Sequence, residues 1–290
     1  MTNAGNAGRP KTRVDRVCPR TWRAMRLLAV MLIGTYITST DVFAQPDVDG
    51  KVLMAIFAHP DDEGLVGPIL SRYAREGAEV ILVTATDGRE GTNDFTDYEA
   101  GDELAAIRRD ELKCAASTLG VELIHLDYYD QFNSAEGYDG FIPQLRGVLR
   151  DIERIITERQ PDAIVTFGPD GVSNHMDHQL VGSSVTQVVL SRDWEKTPAL
   201  YYYGSPASTL PEEDRVLRGV QEKYLTVQIP YADEDGEKAV EALACHESQI
   251  PPEAIDRRRN RLEEQENIIH LRPFIAPTGH SNDLFDAATQ

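Results

Sequence analysis

Five short apolar runs, Val52–Ala58, Ala78–Thr84, Val121–Leu126, Asp162–Phe167 and Ala199–Tyr203, alternate along the chain with segments of helical periodicity. Most residues within these runs are apolar, so the predicted strands read as buried on both faces, which is the mark of a parallel sheet rather than a half-solvated antiparallel one. The intervening segments are Leu65–Arg75, with Leu65, Ile69, Leu70 and Tyr73 on one face, then Asp102–Leu119, Phe141–Glu158 and His175–Leu190. Pro68 cannot lie deep inside a helix, so the first of these begins near Gly67. Gly120 sits where a left-handed C-terminal cap is expected. Strand–helix alternation of this kind predicts an α/β fold, a mostly parallel sheet with helices on both faces. Beyond Ser205 the pattern weakens to a strand at Lys223–Ile229, a helix at Glu237–Ser248 and an irregular C-terminal tail.

The first 44 residues read differently. Seven basic side chains, Arg9 to Arg26, face a single acid, Asp15, and the apolar stretch Leu27–Ile37 follows. That stretch is too short to span a bilayer, which takes about 20 residues, but suits the core of a secretory signal. Val42 and Ala44 supply small residues at the −3 and −1 positions of a cleavage site. Residues 1–44 are therefore expected to be a removed signal peptide, and residues 45–290 a single secreted or periplasmic domain with no stable membrane insertion. The alternative is a membrane anchor left uncleaved, and the long basic stretch also allows an internal start at Met25.

Removing that leader takes 7 basic and 2 acidic side chains from totals of 29 and 48, leaving a net charge of −24. So acidic a surface repels phosphate backbones, which argues against nucleic acid as a partner. Of the three cysteines, Cys18 leaves with the leader. Cys114 and Cys245 lie in apolar helical patterns and read either as buried thiols or, in an exported protein, as a disulfide.

The polar residues that matter follow the strands. Ala58-His59-Pro60-Asp61-Asp62-Glu63 comes after the first strand, Asp87-Gly88 and Gly91 after the second, Asp127 to Asp130 after the third, and His175-Met176-Asp177-His178 after the fourth. In a parallel sheet all four loops emerge at one edge, where α/β folds bind ligands. Two imidazoles and one carboxylate make a catalytic metal site with an open position for water. His59, one of Asp61 and Asp62, and one of His175 and His178 supply such a set. The neighbouring carboxylate is then free to take a proton.

These motifs resemble the PIG-L/LmbE-like zinc-dependent N-deacetylases. The resemblance rests on Ala58–Glu63, Asp87, Gly88 and Gly91, Arg108-x-x-Glu111-Leu112 leading to Leu119-Gly120-Val121, His175-x-Asp177-His178, and His246-x-Ser248-Gln249. It runs in order over most of residues 50–250. It implies a Rossmann-like sheet and zinc-dependent removal of acetyl or another acyl group from an amine, usually on a sugar such as N-acetylglucosamine. Carried over by position, it implies that His59, Asp62 and His178 bind Zn2+, with Fe2+ as the other candidate metal. Asp61 would be the general base, His175 would polarise the carbonyl or protonate the leaving amine, and Asp177 would orient an imidazole. Arg108 and Asp127 would contact sugar hydroxyls of a small-molecule N-acyl amino sugar or glycoconjugate.

Each assignment has a plainer counterpart. Arg108 reads equally as a helix arginine that is solvated or paired with an acid such as Glu111, and Asp127 as an ordinary loop carboxylate. Glu63 is either a second layer around the metal or a helix cap, His125 a hydrogen-bonded core residue, and His246 a packing or capping residue. Asp177 and the acidic chain are expected to push the pKa of His175 upward. A sugar-binding module without turnover and a metal-dependent phosphoesterase are the competing functions. A zincin peptidase is opposed by Ile250 in place of the second histidine after His246-Glu247, and a serine hydrolase is poorly supported, since there is no Gly-x-Ser-x-Gly elbow.

Overall fold

A computed structural model of the protein describes residues 48–264, 266–274 and 282–284. The expected signal peptide, residues 1–44, lies outside the described residues. Strand β1 (Val52–Phe57) runs through the middle of the sheet, with Leu53 to Phe57 almost wholly excluded from solvent. On one side lie β2 (Glu79–Thr86) and β3 (Glu122–Tyr128); on the other lie β4 (Ala163–Thr166) and β5 (Ala199–Tyr203). All five are parallel, with Met54 of β1 opposite both Ile81 and Ile164. The five strands fall where the apolar runs place them, and β1, β2, β4 and β5 are largely buried as a covered strand requires; β3 departs from that expectation, because it is the edge strand and is only half-buried.

Helices connect them: α1 (Gly67–Glu76), α2 (Asp102–Leu119), α3 (Gly137–Arg159) and α4 (Met176–Leu190). Helices α1 and α2 pack together, and α3 packs against α4. The chain winds outward from β1 in one direction through α1 and α2 and in the other through α3 and α4. Right-handed crossovers therefore place the two pairs on opposite faces of the sheet. Gly77 and Gly120 close α1 and α2 in the left-handed conformation that glycine adopts without strain.

After β5 a short excursion contains β6 (Ser205–Pro206), the single turn α5 (Arg215–Arg218) and β7 (Gly219–Val220), which pairs with β6. Strand β8 spans only Val227–Pro230; Lys223 and Tyr224, expected in the strand, belong instead to a 3-10 turn, Glu222–Tyr224. Helix α6 (Asp233–Leu243) starts earlier than expected and does not reach Ser248. Asp235 accepts from the backbone N–H of Ala232 and so starts the helix. Cys245 is bonded to Cys114 of α2 and Glu111 takes the N–H of Ser248, so residues 245–248 leave the helical path. The C-terminal region is not irregular throughout. It forms α7 (Pro252–Glu264) and β9 (Ile268–Pro273), which inserts antiparallel between β5 and β8. No helix among the described residues is long and apolar enough to cross a membrane.

The full strand order is β3-β2-β1-β4-β5-β9-β8. The direction of winding reverses between β1 and β4, which opens a crevice at their carboxyl ends. The two histidine-bearing loops of the sequence both enter that crevice.

Candidate active site

The loop after β1 folds on itself through its own acids. Asp62 Oδ2 accepts from the backbone N–H of His59 at 2.7 Å, turning the carboxylate inward at the start of a 3-10 turn, Asp62–Leu65. Asp61 takes a left-handed backbone conformation, φ 112°, which is rare for a residue with a side chain. Opposite, α4 presents the second cluster from its first turn. His175 caps the helix, its Nδ1 accepting from the N–H of Asp177 at 3.3 Å. Helix α4 can approach β4 because residue 182 is glycine: a Cβ there would lie 2.4 Å from the carbonyl oxygen of Phe167. The ring of Phe167 stacks flat on His178, centroids 4.2 Å apart.

Three side chains converge in the crevice. His59 Nδ1 lies 3.1 Å from His178 Nε2 and 3.4 Å from Asp62 Oδ2, and His178 Nε2 lies 3.2 Å from Asp62 Oδ1. Donors placed about 2.0–2.2 Å from a tetrahedral ion stand roughly 3.3–3.6 Å from one another, and the two nitrogens, and each of them with one oxygen of Asp62, are spaced close to that. The far nitrogens of both imidazoles are held by acceptors. His59 Nε2 faces Asp177 Oδ2 and Asp130 Oδ1, each at 3.2 Å, and His178 Nδ1 faces the Gly171 carbonyl at 2.9 Å. A ring whose outer nitrogen donates to an acceptor keeps the inner nitrogen's lone pair for a metal. Two further groupings, His59 with His175 and His178, and His59 with Asp130 and Asp177, also gather donors within 4.8 Å. The second consists of the groups that orient His59, and the first leaves out the buried Asp62. His59, Asp62 and His178 are thus the residues that could hold a metal here.

The opposite wall is built around Arg108 of α2. This arginine is buried, and its guanidinium donates to the carbonyls of Gly88 (2.8 Å) and Pro60 and to Asp61 Oδ2 (3.1 Å). Glycines make room for it: a Cβ at Gly88 or Gly91 would lie 2.5 or 2.3 Å from Arg108 Nη1. Asp61, Asp62, His59, His175, His178, Arg108, Asp130 and Gln249 line one cavity of about 230 Å³. A larger and more apolar cavity of about 550 Å³ lies beyond Phe167, between Tyr202 and Phe274. It has no cluster of acid–base groups, and the smaller one holds the chemistry.

The electrostatics separate the two adjacent aspartates. Burial raises the pKa of Asp61 to about 6, opposed by the Arg108 guanidinium and assisted by the charge of Asp62. For Asp62 burial acts in the same direction, but His178 and His59 outweigh it and hold the carboxyl well below the usual range. Burial works against the charged form of His59 and of His178, yet their carboxylate partners raise both above the ordinary imidazole value. His175 departs from expectation. Its pKa is lowered, by burial and then by repulsion from His59 and His178, which together exceed the pull of Asp177 and Asp130. Asp177 turns its carboxylate to His59 and offers His175 only its backbone.

Asp127 is not brought to the site. It pairs with Arg109, at 2.7 and 2.8 Å, on the outside of β3, and the cavity is lined instead by Asp130. Asp130 stood in the same loop as Asp127 and was detectable only as one of several acids after β3. Glu111 does not pair with Arg108; it receives the N–H and hydroxyl of Ser248. His125 donates to or accepts from nothing in the cavity and meets the Thr86 carbonyl at 2.8 Å.

A family profile described as PIG-L, GlcNAc-PI de-N-acetylase, matches residues 54–189. A 1D-myo-inositol 2-acetamido-2-deoxy-alpha-D-glucopyranoside deacetylase of Mycobacterium sp. (strain KMS) is 29% identical over 195 residues, covering 61% of this chain and 62% of that protein. The chain thus spans about three fifths of that relative's length. Among solved structures, the N,N'-diacetylchitobiose deacetylase of Pyrococcus horikoshii superposes with a TM-score of 0.57 at 23% identity, covering 77% of this chain and 82% of that one. A 4-carboxy-2-hydroxymuconate hydratase of Pseudomonas putida KT2440 superposes with a TM-score of 0.58 at 16% identity, covering 80% and 99%. These structures share the fold, and the fold alone does not select the reaction.

Proposed function

The chain belongs to the PIG-L family, and from that premise we propose that it hydrolyses the amide of an N-acyl amino sugar, acetyl by default, with the help of one divalent metal. The observation that carries this reading is the triangle of His59, Asp62 and His178 with Asp61 at its edge. Zinc is the proposed ion, with iron(II) as its alternative, held by those three residues. When bound, such an ion supplies Lewis acidity toward the amide carbonyl and makes a water easier to deprotonate.

The protein's own residues do the rest. Asp61, ionised above a pKa of about 6, takes the proton of the attacking water as its oxygen bonds to the amide carbon. Arg108 fixes that carboxylate, and Asp177 and Asp130 fix the ring of His59. Because the Nδ1 of His175 accepts from the backbone, its Nε2 is the nitrogen that carries a proton toward the cavity. From there it donates to the carbonyl oxygen as charge builds on it. The C–N bond then breaks and the amine leaves with the proton gathered at Asp61, giving a carboxylate and a free amino sugar. The inheritance of an N-acetylglucosamine-type substrate is supported by the names of the relatives. Export is supported by the basic and apolar N-terminal pattern and by the Cys114–Cys245 disulfide, a bond that persists in oxidising compartments.

The test is a release assay. Mature protein supplied with zinc is offered a panel of N-acyl amino sugars, with free amine and free phosphate measured separately. Amine release that depends on both metal and Asp61 supports the reading. Phosphate release, or binding without turnover, would replace it with the phosphoesterase or the binding module.

A further inference from the structure

Beneath the site lies a buried ion pair to which the reaction above assigns no role. Glu63 Oε1 and His246 Nε2 are 2.5 Å apart, and both side chains are essentially excluded from solvent. Glu63 uses its other oxygen, Oε2, to accept the backbone N–H of Asp61 at 3.1 Å. That N–H belongs to the residue whose backbone holds φ at 112°. A non-glycine residue stays in such a conformation only where its surroundings impose it.

We propose that Glu63 and His246 are a positioning pair that holds Asp61 in this conformation and so aims its carboxylate at the reacting centre. The proposal rests on the reading of Asp61 as the base. Three observations carry it. First, Arg108 and Glu63 grip Asp61 from two sides, one through its carboxylate and the other through its backbone. Second, a carboxylate–imidazole pair buried in a core contributes little net stability compared with apolar side chains of the same volume. Third, the segment bearing His246 is fixed from two further directions. Cys245 is bonded to Cys114, and Ser248 gives its N–H and hydroxyl to Glu111, three residues before Cys114 on α2. His246 Nδ1 has no hydrogen-bond partner among the described residues, so its polar contact runs through Glu63.

The experiment compares Glu63→Ala, His246→Ala and His246→Gln with the wild type, measuring kcat, KM, metal content and thermal midpoint. A misplacement of about 1 Å at a reacting group costs roughly 100-fold in rate. Both alanine variants should therefore lose about that much kcat while keeping KM and one metal per chain. His246→Gln retains a donor for Glu63 and should recover most of the loss. Crystal structures supply a readout that does not depend on turnover: in Glu63→Ala, Asp61 should relax to a negative φ and its carboxylate should leave the cavity. Alanine variants with wild-type kcat, or with losses that follow metal content or KM, would overturn the proposal, as would an Asp61 unmoved in the crystal. If the alanine variants do not fold, His246→Gln and Glu63→Gln are compared in the same way. Glu63→Gln should then displace Asp61, because the amide has a single acceptor oxygen where Glu63 uses one oxygen for the Asp61 N–H and the other for His246. A wild type inactive on every N-acyl sugar would sink the assignment of Asp61, whereas the crystallographic comparison still decides the pairing.

Discussion

Arg108 offers the sharpest test of how the site sets the basicity of Asp61. The guanidinium lies 3.1 Å from Asp61 Oδ2, with charge centres about 4 Å apart. At an effective dielectric constant near 20, opposite charges at that distance attract by roughly 4 kcal/mol. About a quarter of the Asp61 side chain (24%) is open to the cavity, so solvent screens part of this; halving it leaves about 2 kcal/mol, or one to two pKa units at ~1.4 kcal/mol each. The sign follows from which form the arginine favours. A cation stabilises ionised Asp61 and lowers its pKa, so Arg108→Met should raise it. Asp61 accepts a proton only when ionised, and activity is lost as pH falls through its pKa. The acidic limb of kcat/KM should therefore move to higher pH by one to two units in Arg108→Met. A bound metal also favours the ionised form, but it is common to both proteins and drops out of the difference. Arg108→Lys keeps the charge and loses the fork that reaches Gly88, so its limb should stay within about half a unit while kcat falls. The assay is kcat/KM from pH 4.5 to 9 for the three proteins at equal metal content. An unmoved limb in Arg108→Met, or equal shifts in both variants, would refute the reasoning.

Removing a ligand should separate from removing the base: His59→Ala and His178→Ala should lose the metal on dialysis, measured by elemental analysis, whereas Asp61→Asn should keep it and lose about 10²–10⁴ in kcat. Asp177→Asn should leave the metal bound but weaken its affinity by about 10- to 100-fold in competition with a chelator, because His59 loses the carboxylate that orients it. Gly182→Ala should force α4 away from the Phe167 carbonyl and lower the thermal midpoint by roughly 3–10 °C by calorimetry, the consequence of about 1–3 kcal/mol of overpacking.

The parallel half of the fold was legible because each of its strands is decided locally. Val52–Phe57 and Ala163–Val165 are covered on both faces and are apolar throughout, and Gly120 marks where α2 ends. The antiparallel edge was not legible for the converse reason. In β9, residues alternate between buried and half-exposed over six positions that include His270 and Arg272. Such a pattern looks like tail until Tyr202, seventy residues earlier, is seen opposite Arg272. Helix α7 carries so many charges that its one buried leucine, Leu262, is a weak signal. The early end of α6 depends on two long-range links, from Cys245 to Cys114 and from Ser248 to Glu111, which helical periodicity does not encode.

For the site, residue type and strand-end position were enough to gather the histidines, but side-chain direction was not available from spacing. Adjacent Asp61 and Asp62 have the same chemistry. They differ because Asp62 bends back to the N–H of His59 and faces two imidazoles, while the left-handed backbone at Asp61 sends its carboxylate to Arg108. The exchange of Asp127 for Asp130 has a similar origin. Between Thr84 and Thr86 of β2 the partner strand advances from His125 to Tyr128, three residues against two, so β3 carries a bulge. A bulge re-aims the side chains beyond it, and here Asp127 sits at φ 60° with its carboxylate outside the sheet on Arg109. The chain then turns at Tyr129 and returns with Asp130, whose Oδ2 takes the N–H of Glu90 while Oδ1 faces His59. Alternation read from the sequence has no way to register one extra residue, and that single residue decides which carboxylate after β3 reaches His59.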